Sequence, residues 1–204
     1  MLSKGTYIPL GDHCAPAIIL KEIGSRQASF PFDWIMGEEG ATCLFTNISL
    51  FSRLIRGSDV SSITDEFLQG FLQLPNGQYK NDKGIIFPHE IGSIEDIRIK
   101  YHRRFQRLLD TCTVKKRPCN FIIVTRFTII PHDTLRDLVG LVQGLHPSNK
   151  VIVFSGIPHE SPDGVLSYYL PYDIEKAYDF DYTTFRPWIR EKLIMLLADE
   201  SECL

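Results

Sequence analysis

The sequence lacks the simplest signatures of cofactor and metal chemistry. No GxGxxG or GxxxxGK[ST] loop occurs, which removes the ordinary dinucleotide and P-loop readings. Neither HExxH nor GxSxG is present, which excludes the common zinc-peptidase helix and the serine-hydrolase elbow. The cysteines include no CxxC pair, and this argues against a structural zinc site. No cofactor and no metal is therefore expected. No apolar run approaches the roughly 18–20 residues that span a bilayer, and the opening residues have no apolar leader core. Basic charge is not in excess. The 22 Lys and Arg residues stand against 25 Asp and Glu, giving a net charge of −3, which argues against nucleic acid as the partner. Repeats and low-complexity tracts are absent.

What is present is an ordinary globular composition: 204 residues, 44% hydrophobic and 23% charged. That suffices for a packed core. Five cysteines at irregular spacing are not a disulfide framework. Free thiols fit a reducing compartment, so a cytoplasmic protein is expected.

Residues 7–10 form a short strand running into Gly11-Asp12, and residues 15–23 a helix with Pro16 in its first turn and Gly24 at its end. The aromatic, proline-interrupted stretch 29–35 is a packed loop. Leu44, Ile48, Phe51 and Ile55 share one face of a helix over 38–55. Asn76-Gly77 predicts a type I′ hairpin turn, and residues 84–87 a further strand. Ser93, with Asp96 three residues on, caps a long helix. Residues 120–125 and 150–155 are apolar runs of the kind that fill strands buried on both faces. An amphipathic helix lies between them, so the three form a parallel βαβ unit. An edge strand over 167–172 and a closing helix over 182–197 follow. The expected fold is a single α/β domain over 1–204, three layers about a mainly parallel sheet. The hairpin region 70–92 is an insertion, and 182–204 is a closing helix and tail. A papain-like α+β arrangement is the alternative.

Four groups of residues could carry chemistry. Cys14 follows a strand and a glycine turn and stands at a helix start, where the backbone favours thiolate over thiol. Such a turn lies at the carboxyl edge of a sheet, where α/β proteins place ligands. His89 follows a predicted strand and suits the role of proton acceptor for a thiol. Asp33 could orient that histidine, with Glu90, Asp110 and Asn120 as competitors. Finally, Arg103 and Arg104 on the long helix, and Arg126 directly after a buried strand, could read an anionic part of a substrate.

The segments Leu10-Gly11-Asp12-His13-Cys14-Ala15-Pro16-Ala17, Ile23-Gly24-Ser25-Arg26 and Ser29-Phe30-Pro31-Phe32-Asp33-Trp34-Ile35 resemble a family described as papain-like cysteine peptidases (domain of unknown function 1796), found in bacteria and large DNA viruses. Phe87-Pro88-His89-Glu90, the stretch from Tyr101 to Arg107 and the strand ending at Arg126 are similar too. The resemblance runs over residues 6–156. It implies Cys14 as nucleophile and His89 as general base. With the arginines, the reading is a cysteine hydrolase or related acyl transferase acting on a peptide or an anionic small molecule. Backbone N–H groups at the helix start would hold the oxyanion. Two other readings stay open. One is a transferase that binds a sugar nucleotide without using the cysteine; the other is an inactive interaction module.

Overall fold

The computed structural model describes residues 5–37, 43–115, 117–125, 128–158, 160–169 and 185–202. Strand β1 (Thr6–Pro9) leads through Gly11 into helix α1 (Ala15–Glu22). Its end is a Schellman closure, in which Ser25 N donates to Leu20 O at 2.9 Å and Gly24 N to Lys21 O at 3.2 Å. Gly24 supplies the left-handed φ of +70° that this closure needs.

A two-residue strand, β2 (Met36–Gly37), precedes α2 (Cys43–Ile55) and α3 (Val60–Phe67). Helix α3 was not anticipated, although Asp59 caps it through Ser62 N and Val60, Ile63, Thr64 and Phe67 share its buried face. The part of the predicted 38–55 helix over 38–42 lies outside the described residues. Next come β3 (Leu72–Gln73), β4 (Tyr79–Lys80), β5 (Ile85–Phe87) and the long α4 (Ile94–Thr113). The capping box of α4 is complete in both directions between Ser93 and Asp96.

The chain finishes with β6 (Cys119–Thr125), α5 (His132–Leu145), β7 (Lys150–Ser155), β8 (Val165–Tyr169) and α6 (Phe185–Glu202). The edge strand thus begins two residues earlier than expected; 170–172, like the 182–184 start of the predicted closing helix, lie outside the described residues.

The hairpin turn is also built differently from the expectation. Gly77 N donates to Leu74 O at 2.9 Å, so Pro75 and Asn76 occupy the turn centre and Gly77 follows with φ +84°. Proline presets φ at the first central position, and a glycine bulge then restores the strand twist, so Asn76-Gly77 does not form the centre of a type I′ turn.

Two sheets result. One is parallel, in the order β1-β6-β7-β8, with β6 and β7 in register from Asn120 opposite Lys150 to Thr125 opposite Ser155. The other is antiparallel, in the order β2-β5-β4-β3. Alternation along β6 and β7 sends Ile122, Val124, Ile152 and Phe154 toward α1 and α6. Phe121, Ile123, Val151 and Val153 face the opposite way, into a larger core with α2, α4 and α5. This is the three-layer α/β arrangement expected from the apolar runs. Helix α1, which carries Cys14 at its cap, packs against this parallel sheet.

Candidate functional site

The Cys14 turn is shaped by close backbone packing. Gly11 crosses the end of β6 so tightly that a Cβ on it would lie 2.6 Å from Val124 O and 2.7 Å from Val124 N. Only glycine fits such an approach. Asn47 of α2 donates from Nδ2 to Gly11 O at 2.8 Å and is fully buried. Its signal in the sequence was a polar residue on an otherwise apolar helix face. Cys14 follows as the N-cap of α1, with 7% of its surface exposed. His13 turns back so that its Nδ1 accepts from Ala15 N at 3.0 Å. An accepting Nδ1 places the neutral imidazole's proton on Nε2. That contact changes the oxyanion expectation. The Ala15 N–H already has an acceptor and Pro16 has no N–H, so the first turn offers fewer donors than its position implied.

His89 arrives by a different route. Gly37 N donates to Asp12 O at 2.8 Å, which ties β2 to the Cys14 turn. Strand β2 pairs with β5, Met36 opposite Ile86 and Gly37 opposite Ile85. Strand β5 then runs through Phe87 and Pro88 to His89. A Cβ on Gly37 would lie 2.2 Å from Cys43 Sγ, so a side chain here would have to displace the Cys43 thiol. Phe87 is fixed from behind by edge-on contacts with Phe67, Phe71 and Tyr101.

Cys14 and His89 consequently line one cavity of about 210 Å³, together with His13, Met36, Pro88 and Arg186. The His89 ring is exposed and makes no hydrogen bond with a described residue. It meets Trp34 edge to face, with ring centroids 5.5 Å apart. Arg186, from α6, also pairs with Glu22. Nothing in the sequence pattern linked that helix to the Cys14 turn.

Asp33 is not on His89. Its Oδ2 accepts from Arg26 Nη2 at 2.8 Å and from Phe30 N at 3.1 Å, while Oδ1 is buried and accepts from no described residue. Burial pushes its carboxyl above the ordinary aspartate range, and the hydrogen bonds from Arg26 and Phe30 only partly offset this. Through Arg26, which lies over the Trp34 ring at 4.9 Å, Asp33 instead braces the wall against which His89 rests.

Glu90 is likewise engaged elsewhere. Lys100 Nζ donates to its Oε2 at 2.5 Å, Arg104 Nη1 to its Oε1 at 2.9 Å, and Tyr101 OH to Oε1 at 3.3 Å. Burial raises the Glu90 carboxyl, but Lys100 and Arg104 together outweigh it and hold the group below the usual glutamate range. Asp110 accepts from Gln106 on the same helix, and Asn120 is the second residue of β6, at the opposite end of the sheet from Cys14.

Arg103 and Arg104 are not brought together. Arg104 lines a second cavity of about 320 Å³ beside His89, with Trp34, Glu90 and Lys100. Arg103 points from another face of α4 into a groove with Ser61, Asp65 and His102. Arg126 lies outside the described residues. Among the described residues no group of three His, Cys, Asp or Glu could hold a metal ion, and no helix is long and apolar enough to cross a membrane.

No curated protein and no solved structure matches the chain. The sequence pattern of one protein family, described as "Putative papain-like cysteine peptidase (DUF1796)", matches residues 5–152, a span that includes Cys14, Asp33, His89 and Arg104, and the chain belongs to that family.

Proposed function

We propose that the protein is a cysteine-dependent hydrolase in which Cys14 is the nucleophile and His89 its proton acceptor. The observation that carries this reading is that Cys14 and His89 border the same 210 Å³ cavity, with the His89 ring uncommitted to any hydrogen bond among the described residues. Membership of a family described as cysteine peptidases supports it. His89 accepts the thiol proton, and the Cys14 sulfur forms a bond to the acyl carbon of an amide or ester. The leaving amine or alcohol departs with the proton that His89 returns. Water, deprotonated by His89, then cleaves the thioester and frees the thiol. Trp34, backed by Arg26 and Asp33, would hold the ring in place of a carboxylate partner. Asp33 thus acts as a positioning residue.

The test is alkylation by iodoacetamide followed by mass spectrometry of each cysteine. Cys14 should be modified faster than Cys43, Cys112 and Cys119, and at pH values well below the ordinary thiol range near 8.5. His89→Ala should move the midpoint of that profile upward without altering the fold. Equal, slow labelling of all cysteines, or a profile indifferent to His89→Ala, would defeat the proposal.

A further inference from the structure

The second cavity beside His89 has a use that the nucleophile–base pair does not exhaust. It holds about 320 Å³ and is bounded by Trp34, His89, Glu90, Lys100 and Arg104. His89 therefore forms a wall common to this cavity and to the one at Cys14. Two cations face it and one carboxylate lies beneath them, its side chain only 2% exposed. Among the lining residues Glu90 cancels one of the two positive charges and leaves one; Asp96 also feels the charge of Lys100, but it does not line the cavity and is committed to the Ser93 cap.

Lys100 has three ammonium protons and gives one to Glu90. Its side chain is one-third exposed, and among the described residues it has no other acceptor. Arg104 is held nearly buried between Glu90 and the face of Tyr101, at 4.7 Å from the ring centroid. Trp34 closes the side, and its ring is stiffened by Arg26 on one flank and His89 on another. A half-enclosed space with one net positive charge, spare N–H donors and a flat apolar wall matches a monoanion on a short carbon chain. A dianion would leave uncompensated negative charge over the buried Glu90.

We propose that this cavity binds a carboxylate of the substrate, so that the protein acts on acyl compounds carrying a carboxylate displaced from the scissile bond. The carboxylate meets Lys100 and Arg104, its carbon chain lies on Trp34, and the reacting carbonyl lies across His89 at Cys14. This rests on the Cys14–His89 reading for the reaction, but the carboxylate site itself does not require catalysis.

The chain has two tryptophans, so Trp188→Phe leaves Trp34 as the sole indole reporter. In that background glutaramate, a monoanion, should change Trp34 emission in a saturable way, with matching calorimetric heats, whereas the neutral diamide glutaramide should not. Lys100→Met should weaken glutaramate binding about tenfold, the scale of one hydrogen bond to a charged group. Lys100→Arg should restore most of it. Equal binding of glutaramate and glutaramide, or no loss in Lys100→Met, would overturn the site. Tighter binding of inorganic phosphate than of glutaramate would overturn the carboxylate assignment. Cys14→Ser should bind glutaramate as the parent does. Absent glutaramate binding with rapid low-pH alkylation of Cys14 sinks this inference only. Intact glutaramate binding with an inert Cys14 sinks the hydrolase reading only.

Discussion

The two sheets each deliver one half of the candidate site, and they hold it by different physics. In the parallel sheet β6 contributes seven consecutive buried residues, and the Cys14 turn is fixed by the contact of Gly11 with the Val124 backbone. The antiparallel strands are two or three residues long and cannot be stable as an isolated ribbon. What holds them is side chains: the aromatic cluster of Phe67, Phe87, Tyr101 and Phe105, and the ion pairs of Glu90 with Lys100 and Arg104. The place of Cys14 is thus a matter of backbone sterics, which pH does not alter. The place of His89 depends partly on groups that titrate. A cleft formed where such regions meet can lose one wall before the other.

The strongest perturbation of this contrast is Phe67→Ala. Phe67 is fully buried and touches Phe32, Phe87, Tyr101 and Phe105, so its removal should cost about 4 kcal/mol. Hydrogen exchange should accelerate first in β4, β5 and the start of α4, with β6 amides still protected. Uniform loss of protection would show the two regions to be one cooperative unit.

Gly11→Ala attacks the other side. The added methyl meets Val124 backbone atoms that cannot rotate away, so a loss of about 3 kcal/mol is expected in urea unfolding. Cys14 alkylation should also lose its site selectivity. A variant as stable as the parent would mean that β1 and β6 yield far more readily than a buried sheet should.

The smallest effect is also the most specific to the difference. Glu90 has a depressed carboxyl pKa in the folded protein, so the unfolded chain binds its proton more readily. Its contribution is present above the ordinary glutamate range and is lost as pH falls through the folded value. Glu90→Gln should therefore cost about 2 kcal/mol at neutral pH, with the deficit shrinking toward pH 3. Asp33 has the opposite sign. Its raised pKa means that the folded state holds the proton more tightly, so its contribution is present at low pH and falls away as pH rises through the folded value. Asp33→Asn should thus flatten the stability profile in the other direction. Parallel profiles for both variants would refute the assigned shifts.

Legibility in the sequence followed the same division. The runs over 120–125 and 150–155, the Ser93 cap and the glycine turn before Cys14 are local patterns, and the structure contains each of them. Helix α3 is local too, with a cap at Asp59 and a buried stripe of Val60, Ile63, Thr64 and Phe67 at helical spacing. Other features had no local trace. Strand β2 is too short to show an alternation, yet its bond to Asp12 and its pairing with β5 join His89 to the Cys14 turn. Asp33 could not be assigned to Arg26 rather than His89 because both lie within plausible reach along an irregular segment.

Residue chemistry and periodicity thus establish the parallel core and mark Cys14, since an apolar run and a glycine before a helix mean the same thing in almost any surroundings. Which residues stand across from Cys14 is a different kind of fact. His89 and Arg186 reach its cavity through contacts between segments distant in the chain, and Lys100 with Arg104 builds the neighbouring one on a helix whose sequence shows only a basic face. Such meetings depend on how the two sheets and the helices pack, and packing sums many small contacts that no single segment encodes.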